Sequence, residues 1–313
     1  MREKWINEVT VEGYIFDHTL EKRVAGSNAK NPGQEFISGN IDVATDDEGI
    51  NVVPVAFQYV VPTFKSGSEN RTYGVLDKII ANCVKMSELP DGEKTGATKV
   101  SISASIDVND FLGRDGTMVA AQRVRGSFCN QISTFKQMGA TFRADMLIMA
   151  TNEREIEGQD VFLELRGFCF NFRGDLLPVT FNVRNAGGME FFEKADISTD
   201  EPYLTNVHGA IECSTYTSET KEESAWGEDD VKISVRTVRS WDVLGSSVNP
   251  MPFDDESTIT WDELKEAKTT RDEYVAQRQK EAEEYRASQE GTQNFSDVKP
   301  GSSTKKKSAG FRF

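Results

Sequence analysis

A mainly β chain is predicted: two tandem OB-fold-like five-stranded Greek-key barrels, each with a helix between strands 3 and 4, then a C-terminal helix and a disordered tail. Three observations predict it. Apolar and polar positions alternate through successive runs of the first 135 residues, and alternation is the signature of a half-buried strand. The period turns helical once, between the third and fourth runs. The same order of elements then returns over about 120 further residues, and such self-similarity marks a repeated unit. Three strands, one helix and two strands is the order of an OB-fold. Strand order alone also admits small mixed α/β barrels and sandwiches; the repeat favours two domains of one kind.

Taken in order, Glu8 to Phe16 alternates, with Val9, Val11 and Ile15 on one face and Thr10, Glu12, Tyr14 and Phe16 on the other. Phe36 to Ala44 alternates again, and Asn51 to Val61 is apolar at nearly every position. Tyr73 to Met86 spaces Val75, Leu76, Ile79, Ile80 and Cys83 as a helix does. After Pro90-Asp91-Gly92, Lys99 to Val108 alternates strictly, and Met118 to Cys129 closes the first unit. In the second unit Asp175 to Val183 matches Asn51 to Val60, with Pro178 on Pro54 and Phe181 on Phe57. Phe162-Leu-Glu matches Phe36-Ile-Ser upstream of it. Gly187 to Ala195 reads as a shortened helix, Leu204 to Tyr216 as strand four and Val231 to Val243 as strand five. The expected units are 1–135, 136–252, a helical extension 253–288 and a disordered tail 289–313. Thr260-Trp-Asp-Glu263 is a capping box that starts the extension's helix, which should run to about Arg286.

Composition narrows the function. No run is long and apolar enough to span a bilayer, and Met1 to Trp5 shows no secretory h-region, so the expected location is the cytoplasm. Four separated cysteines and two histidines argue against disulfide frameworks, zinc sites and His-rich catalysis. No P-loop, GxGxxG, HExxH or GxSxG is present; His18 and His208 stand beside no activated nucleophile. The expectation is a protein that is not an enzyme and takes no cofactor. Net charge is −15, and about −9 of it sits between Glu190 and Lys232. That acidity disfavours polyanion binding in bulk but leaves room for a local basic groove. The acidic run Glu219 to Asp230 lacks calcium-loop spacing.

The polar faces of the strands carry the candidate site. Tyr14, Phe16 and Phe36 stand on faces opposite the core, where rings can stack on nucleobases of any sequence. The loop Glu21 to Gln34 adds Lys22, Arg23 and Lys30, and the turn Asn109 to Thr117 adds Phe111 and Arg114. These are the two loops with which OB-folds grip oligonucleotides. Arg123 and Arg125 alternate outward on strand five. The second unit offers Arg166, Phe168 and Arg173, with Arg236 and Arg239 on its own strand five; Phe168, Phe170 and Phe172 share a face with Phe162 and would also serve as core.

Trp5-Ile-Asn-Glu-Val-Thr-Val-Glu-Gly-Tyr14, with Phe36-Ile-Ser-Gly-Asn-Ile, Asn51-Val-Val-Pro-Val and Tyr73-Gly-Val-Leu, resembles the single-stranded DNA-binding proteins of tailed bacteriophages over about residues 5 to 130. The resemblance implies an OB-fold that coats single-stranded DNA in phage replication or recombination inside a bacterial host. The tail departs from bacterial single-stranded DNA-binding proteins, which end in an acidic tip closing on Phe. Here Phe313 closes a basic stretch, and Trp261, Leu264 and Phe313 are the candidates for docking a replication partner. Removing residues 253 to 313 should then leave both barrels folded. The alternative reading is a structural or adaptor protein of a phage particle or replication complex.

Overall fold

Alternation in the first run becomes β1 (Asn7–His18), and the chain proceeds through β2 (Glu21–Val24), β3 (Glu35–Ala44), β4 (Val52–Val60), α1 (Arg71–Asn82), β5 (Lys99–Leu112) and β6 (Met118–Gln131). The second half continues with β7 (Gly139–Arg154), β8 (Phe162–Phe170), β9 (Leu176–Val183), α2 (Ala186–Glu193), β10 (Tyr203–Glu222), β11 (Asp230–Ser246) and α3 (Trp261–Gln293). The structure is a computed structural model that describes residues 5–27, 29–156, 160–222 and 230–293, with side chains described outside 214–222, 230–238 and 288–293. The architecture is mainly β, and the eleven strands among the described residues form one hydrogen-bonded sheet.

That sheet closes on itself twice. In ring one β1 pairs antiparallel with β3 and β5, β3 with β4, and β5 with β6, and a short parallel pairing of Val55 with Val124 joins β4 to β6. Ring two repeats the scheme. β7 pairs with β8 and β10, β8 with β9, and β10 with β11, and Asn182 meets Asp242 in the parallel closure of β9 on β11. The two first strands join the rings, Asn7 opposite Ala144 and Glu12 opposite Gly139.

Inward positions of ring one (Val11, Ile15, Ile37, Ile41, Val55, Val100, Ile102) are fully buried. Phe57 fills the centre against Gly126, where any Cβ would stand 2.4 Å from its ring. Its counterpart Phe181 is equally buried in ring two. Each helix plugs its ring. α1 is capped by Asn70, which accepts from the Thr72 N–H, and inserts Leu76 and Ile79. α2 is capped by Asn185 and inserts Phe192. α1 stops at Asn82 rather than Met86, and Met86 begins a separate short turn.

Three elements differ from the sequence reading. The stretch Glu21–Val24, expected as open loop, is an edge strand along β3. β7 was not anticipated. The extension does not stand apart: Ile259 and Leu264 are 4 % and 1 % exposed and pack with Leu147, Phe170, Leu176 and Leu204 over the outside of ring two. Arg271 on α3 pairs with Asp110 of β5, so the helix also spans to ring one. β10 and β11 run on beyond ring two as a two-stranded ribbon paired as far as Glu222 and Asp230. The expected disorder of the tail falls, from 294 on, outside the described residues.

Candidate nucleic-acid interface

Alternation sends Phe36, Ser38 and Asn40 of β3 outward while Ile37 and Ile41 point into ring one. Opposite them the register of β4 slips between Ile37 and Gly39, so that Gln58 and Tyr59 together face one residue of β3. Tyr59 takes φ 43°, a left-handed conformation that costs a side-chain-bearing residue about 1–2 kcal/mol. The bulge turns it to the outside, where it is 45 % exposed, and its ring lies 4.6 Å from that of Phe36 at a 36° tilt. Tyr73 of α1 donates its hydroxyl to Glu35, which pushes the phenol up to about 12 and ties the helix to the start of β3.

Beside this ring pair runs a cross-strand row. Asn40 is opposite Ala56, Ala56 opposite Arg125, and Arg125 opposite Ser105. Arg125 is exposed and has no carboxylate partner among the described residues. Phe128, opposite Ser103, is 59 % exposed. β2 sets Arg23 opposite Phe36, giving an outer face with three accessible rings and cations at both edges. Several cations of ring one already have partners: Lys22 with Asp77 at 2.7 Å, Arg23 with Glu21 at 2.9 Å, and Arg123 with Asp107 at 2.7 Å. Of the sequence candidates, then, the fold brings Phe36, Arg23, Arg123 and Arg125 to one side of ring one, while Lys22, opposite the inward Ile37, turns to the other face and pairs with α1. Tyr59 and Phe128 join them. Tyr59 was hidden inside a run read as uniformly apolar, and Phe128 lies just beyond a register slip in β6.

Other candidates lie elsewhere. Tyr14 stands on the outer side of β1 as expected, but that side is covered. Met86, Ala97, Phe135 and Met138 close over it, leaving it 4 % exposed, with its hydroxyl donating to Asp47 at 3.1 Å. Burial first, and then Asp47, raise its pKa. Phe16 is half-buried in the same cluster. Tyr14 therefore offers no free ring. Lys30 is exposed in the β2–β3 connection, and Phe111 and Arg114 are exposed at the β5–β6 hairpin. There Arg286 of α3 donates to the carbonyls of Leu112 and Gly113 at 3.0 and 2.7 Å.

In ring two the row of phenylalanines is not barrel core, and only Phe172, 73 % exposed, reaches the surface. Phe170 is buried outside the ring, stacked on Trp5 at 4.0 Å, and Phe168 lies under Lys268 of α3, 5.5 Å from its ring. Arg166 shares Glu164 with Arg154, while Arg173 covers the exposed ring of Phe172 at 5.1 Å. Arg236 is opposite Tyr216 in the ribbon, its side chain outside the described residues; Arg239 is exposed. Leu264 is buried within this chain and Trp261 packs edge-on against Phe253, so Leu264 cannot reach a partner while α3 is docked. Phe313 lies outside the described residues.

Reactive groups are quiet. Burial pushes the Cys129 thiol up to about 12 and raises Cys169 as well, leaving both as thiols rather than nucleophiles. His18 accepts the Leu20 N–H on Nδ1 at 3.3 Å, and burial lowers its pKa. No helix among the described residues is long and apolar enough to cross a membrane.

Among solved structures, the wild-type single-stranded DNA binding protein from Thermus aquaticus superposes with a TM-score of 0.47 at 10 % identity, covering 80 % of this chain and 96 % of that one. A deletion mutant of the same protein gives 0.45 at 12 % identity, covering 81 % and 98 %. No curated protein matches the chain in sequence. The profile of the YorF family matches residues 6–285, nearly the whole of the described chain, and the protein belongs to the YorF family.

Proposed function

We propose that the protein binds single-stranded DNA with little sequence preference, each ring serving as an OB-fold. Bases stack on the outer face of ring one and phosphates meet its cations, without catalysis. The observation that carries this reading is the Phe36–Tyr59 pair, a ring turned out to solvent by a strained bulge with Arg23 opposite Phe36. Rings presented in a row accept bases of any identity, because each base has a π-face. Duplex bases are already stacked and cannot reach them. The setting we propose is the coating of DNA during phage replication or recombination, in the host cytoplasm.

Partner recruitment loses one of its expected residues, Leu264. With Leu264 buried, docking of a replication protein falls to the exposed outer side of α3 and to Phe313. The competing adaptor reading draws on the acidity of residues 190–232.

Titration of a fluorescent dT oligomer against matched duplex at two salt concentrations tests the proposal. Single strand should bind at least tenfold more tightly. Its affinity should fall with salt at a log–log slope of about −2, near −0.7 for each phosphate neutralised, a modest value because most cations on the face are already paired. Equal affinity for both, or none for either, would favour the adaptor.

A further inference from the structure

A second concavity of about 380 Å³ opens between the rings, in the size range of small-ligand clefts, and the face described above does not use it. Ring one contributes Pro54, Gln122 and Arg123; ring two contributes Phe162, Arg239 and Trp241. Hydrogen bonds between the rings hold the walls apart at a set distance. Thr180 N–H donates to Gln122 Oε1 at 3.1 Å, and Cys213 N–H donates to Asn51 Oδ1 at 2.7 Å. Phe162 and Trp241 are 4 % and 7 % exposed and back the cleft from within, Phe162 under the guanidinium of Arg184 at 4.6 Å and Trp241 against Phe142 and Phe181, while Ile156, 45 % exposed, stands at the mouth.

Gln122 is the informative residue. Its oxygen is committed to Thr180, which orients the amide, and its nitrogen is buried with no hydrogen-bond partner. Buried polar groups are nearly always satisfied, and an acceptor placed in the cleft would satisfy this one. Arg239, exposed at the edge, adds further donors; its neighbours are Asp42 and Cys213. The one carboxylate among the described residues of the lining, Glu164, is held by Arg154 and Arg166. Donors in a cleft of this size suit a ligand rich in acceptors. The cleft also continues the proposed face: Pro54 and Arg123 lie two residues along β4 and β6 from Ala56 and Arg125, on the same side of the sheet by alternation.

We infer that the inter-ring cleft holds one nucleotide of a single strand passing from ring one to ring two, its base carbonyl met by Gln122 and its phosphate by Arg239. The inference rests on the proposed single-strand reading. Its test uses the full chain and a labelled dT oligomer of about 20 nucleotides, longer than one OB-fold's reach of about 4–16, with 4-thiothymidine at successive positions for photocrosslinking. Gln122→Leu and Arg239→Gln should each weaken binding five- to tenfold, and crosslinked peptides should include the one bearing Trp241. Arg239 is a surface residue, so its variant stays folded even if Gln122→Leu loosens the inter-ring link. Unchanged affinity in Arg239→Gln, with crosslinks confined to ring one, overturns the cleft and leaves the face standing. Failure of the wild-type protein to bind any oligomer ends both.

Discussion

Arg271 of α3 places its guanidinium on the carboxylate of Asp110, 161 residues away in sequence, with side-chain exposures of 16 % and 4 %. The pair fastens an extension that packs on ring two to the end of β5 in ring one, and the Arg286 bonds to Leu112 and Gly113 carry the same tie further. Breaking a shielded pair from one side strands the remaining charge. Asp110→Ala should therefore cost about 3–5 kcal/mol. The double variant with Arg271→Ala should cost less than the sum of the two singles. Denaturant midpoints measure both, and strict additivity would show that the pair does not couple helix and ring.

Leu264 extends the same point to the core. It is 1 % exposed among Leu147, Phe170, Leu176 and Leu204. Leu264→Ala should cost about 2–5 kcal/mol, and truncation at Pro252 should expose that apolar surface and lower the melting temperature. A truncated protein as stable as the full chain would return the extension to the dispensable role its thin apolar stripe suggested.

Glu12 gives a pH dependence with a definite sign. It is 6 % exposed, and burial alone would raise its pKa. The N–H groups of Gln137 and Lys136 and the Ser101 hydroxyl, all at 2.9–3.0 Å, outweigh burial and hold the carboxyl below its ordinary 4.5. A lowered carboxylate stabilises the fold fully above that value, and the contribution is lost as pH falls through the folded pKa. The melting temperature of the wild type should exceed that of Glu12→Gln at pH 7, and the gap should close on titration below 4.5. A gap independent of pH would mean that the charge is not what the inter-ring linker binds.

Much of this architecture was legible in the residues, and the misses share one physical origin. Period-two alternation identified β1, β3 and β5 and the side of β1 on which Tyr14 stands, whereas β2, exposed at all four positions, buries no face that a pattern could show. It carries no information about what covers that side, and the cover comes from segments 86–97 and 135–138, which have no period of their own. The Pro54/Pro178 and Phe57/Phe181 matches located β4 and β9, since both must fill a ring at the same depth. β7 escaped because Met146, Leu147, Ile148 and Met149 are all buried: one side faces the ring and the other faces α3's cluster, so alternation vanishes where both faces are dry. Phe168 and Phe170 were correctly grouped on one face, yet the partner that covers it lies some 90 residues downstream. Tyr59 needed the bulge, which no local pattern announced.

The central claim is that the outer face of ring one stacks bases, and Tyr59 tests it most directly. On one preparation, affinity for a dT oligomer and melting temperature should be measured for wild type, Tyr59→Ala and Tyr14→Ala. Tyr59→Ala should weaken binding by about 1–3 kcal/mol, the value of one stacked base, with the melting temperature little changed, because the ring is 45 % exposed and Ala carries the same cost at φ 43°. Tyr14→Ala should instead destabilise the fold by about 3–5 kcal/mol while the folded fraction binds as the wild type does. Full affinity in a well-folded Tyr59→Ala protein would contradict the account.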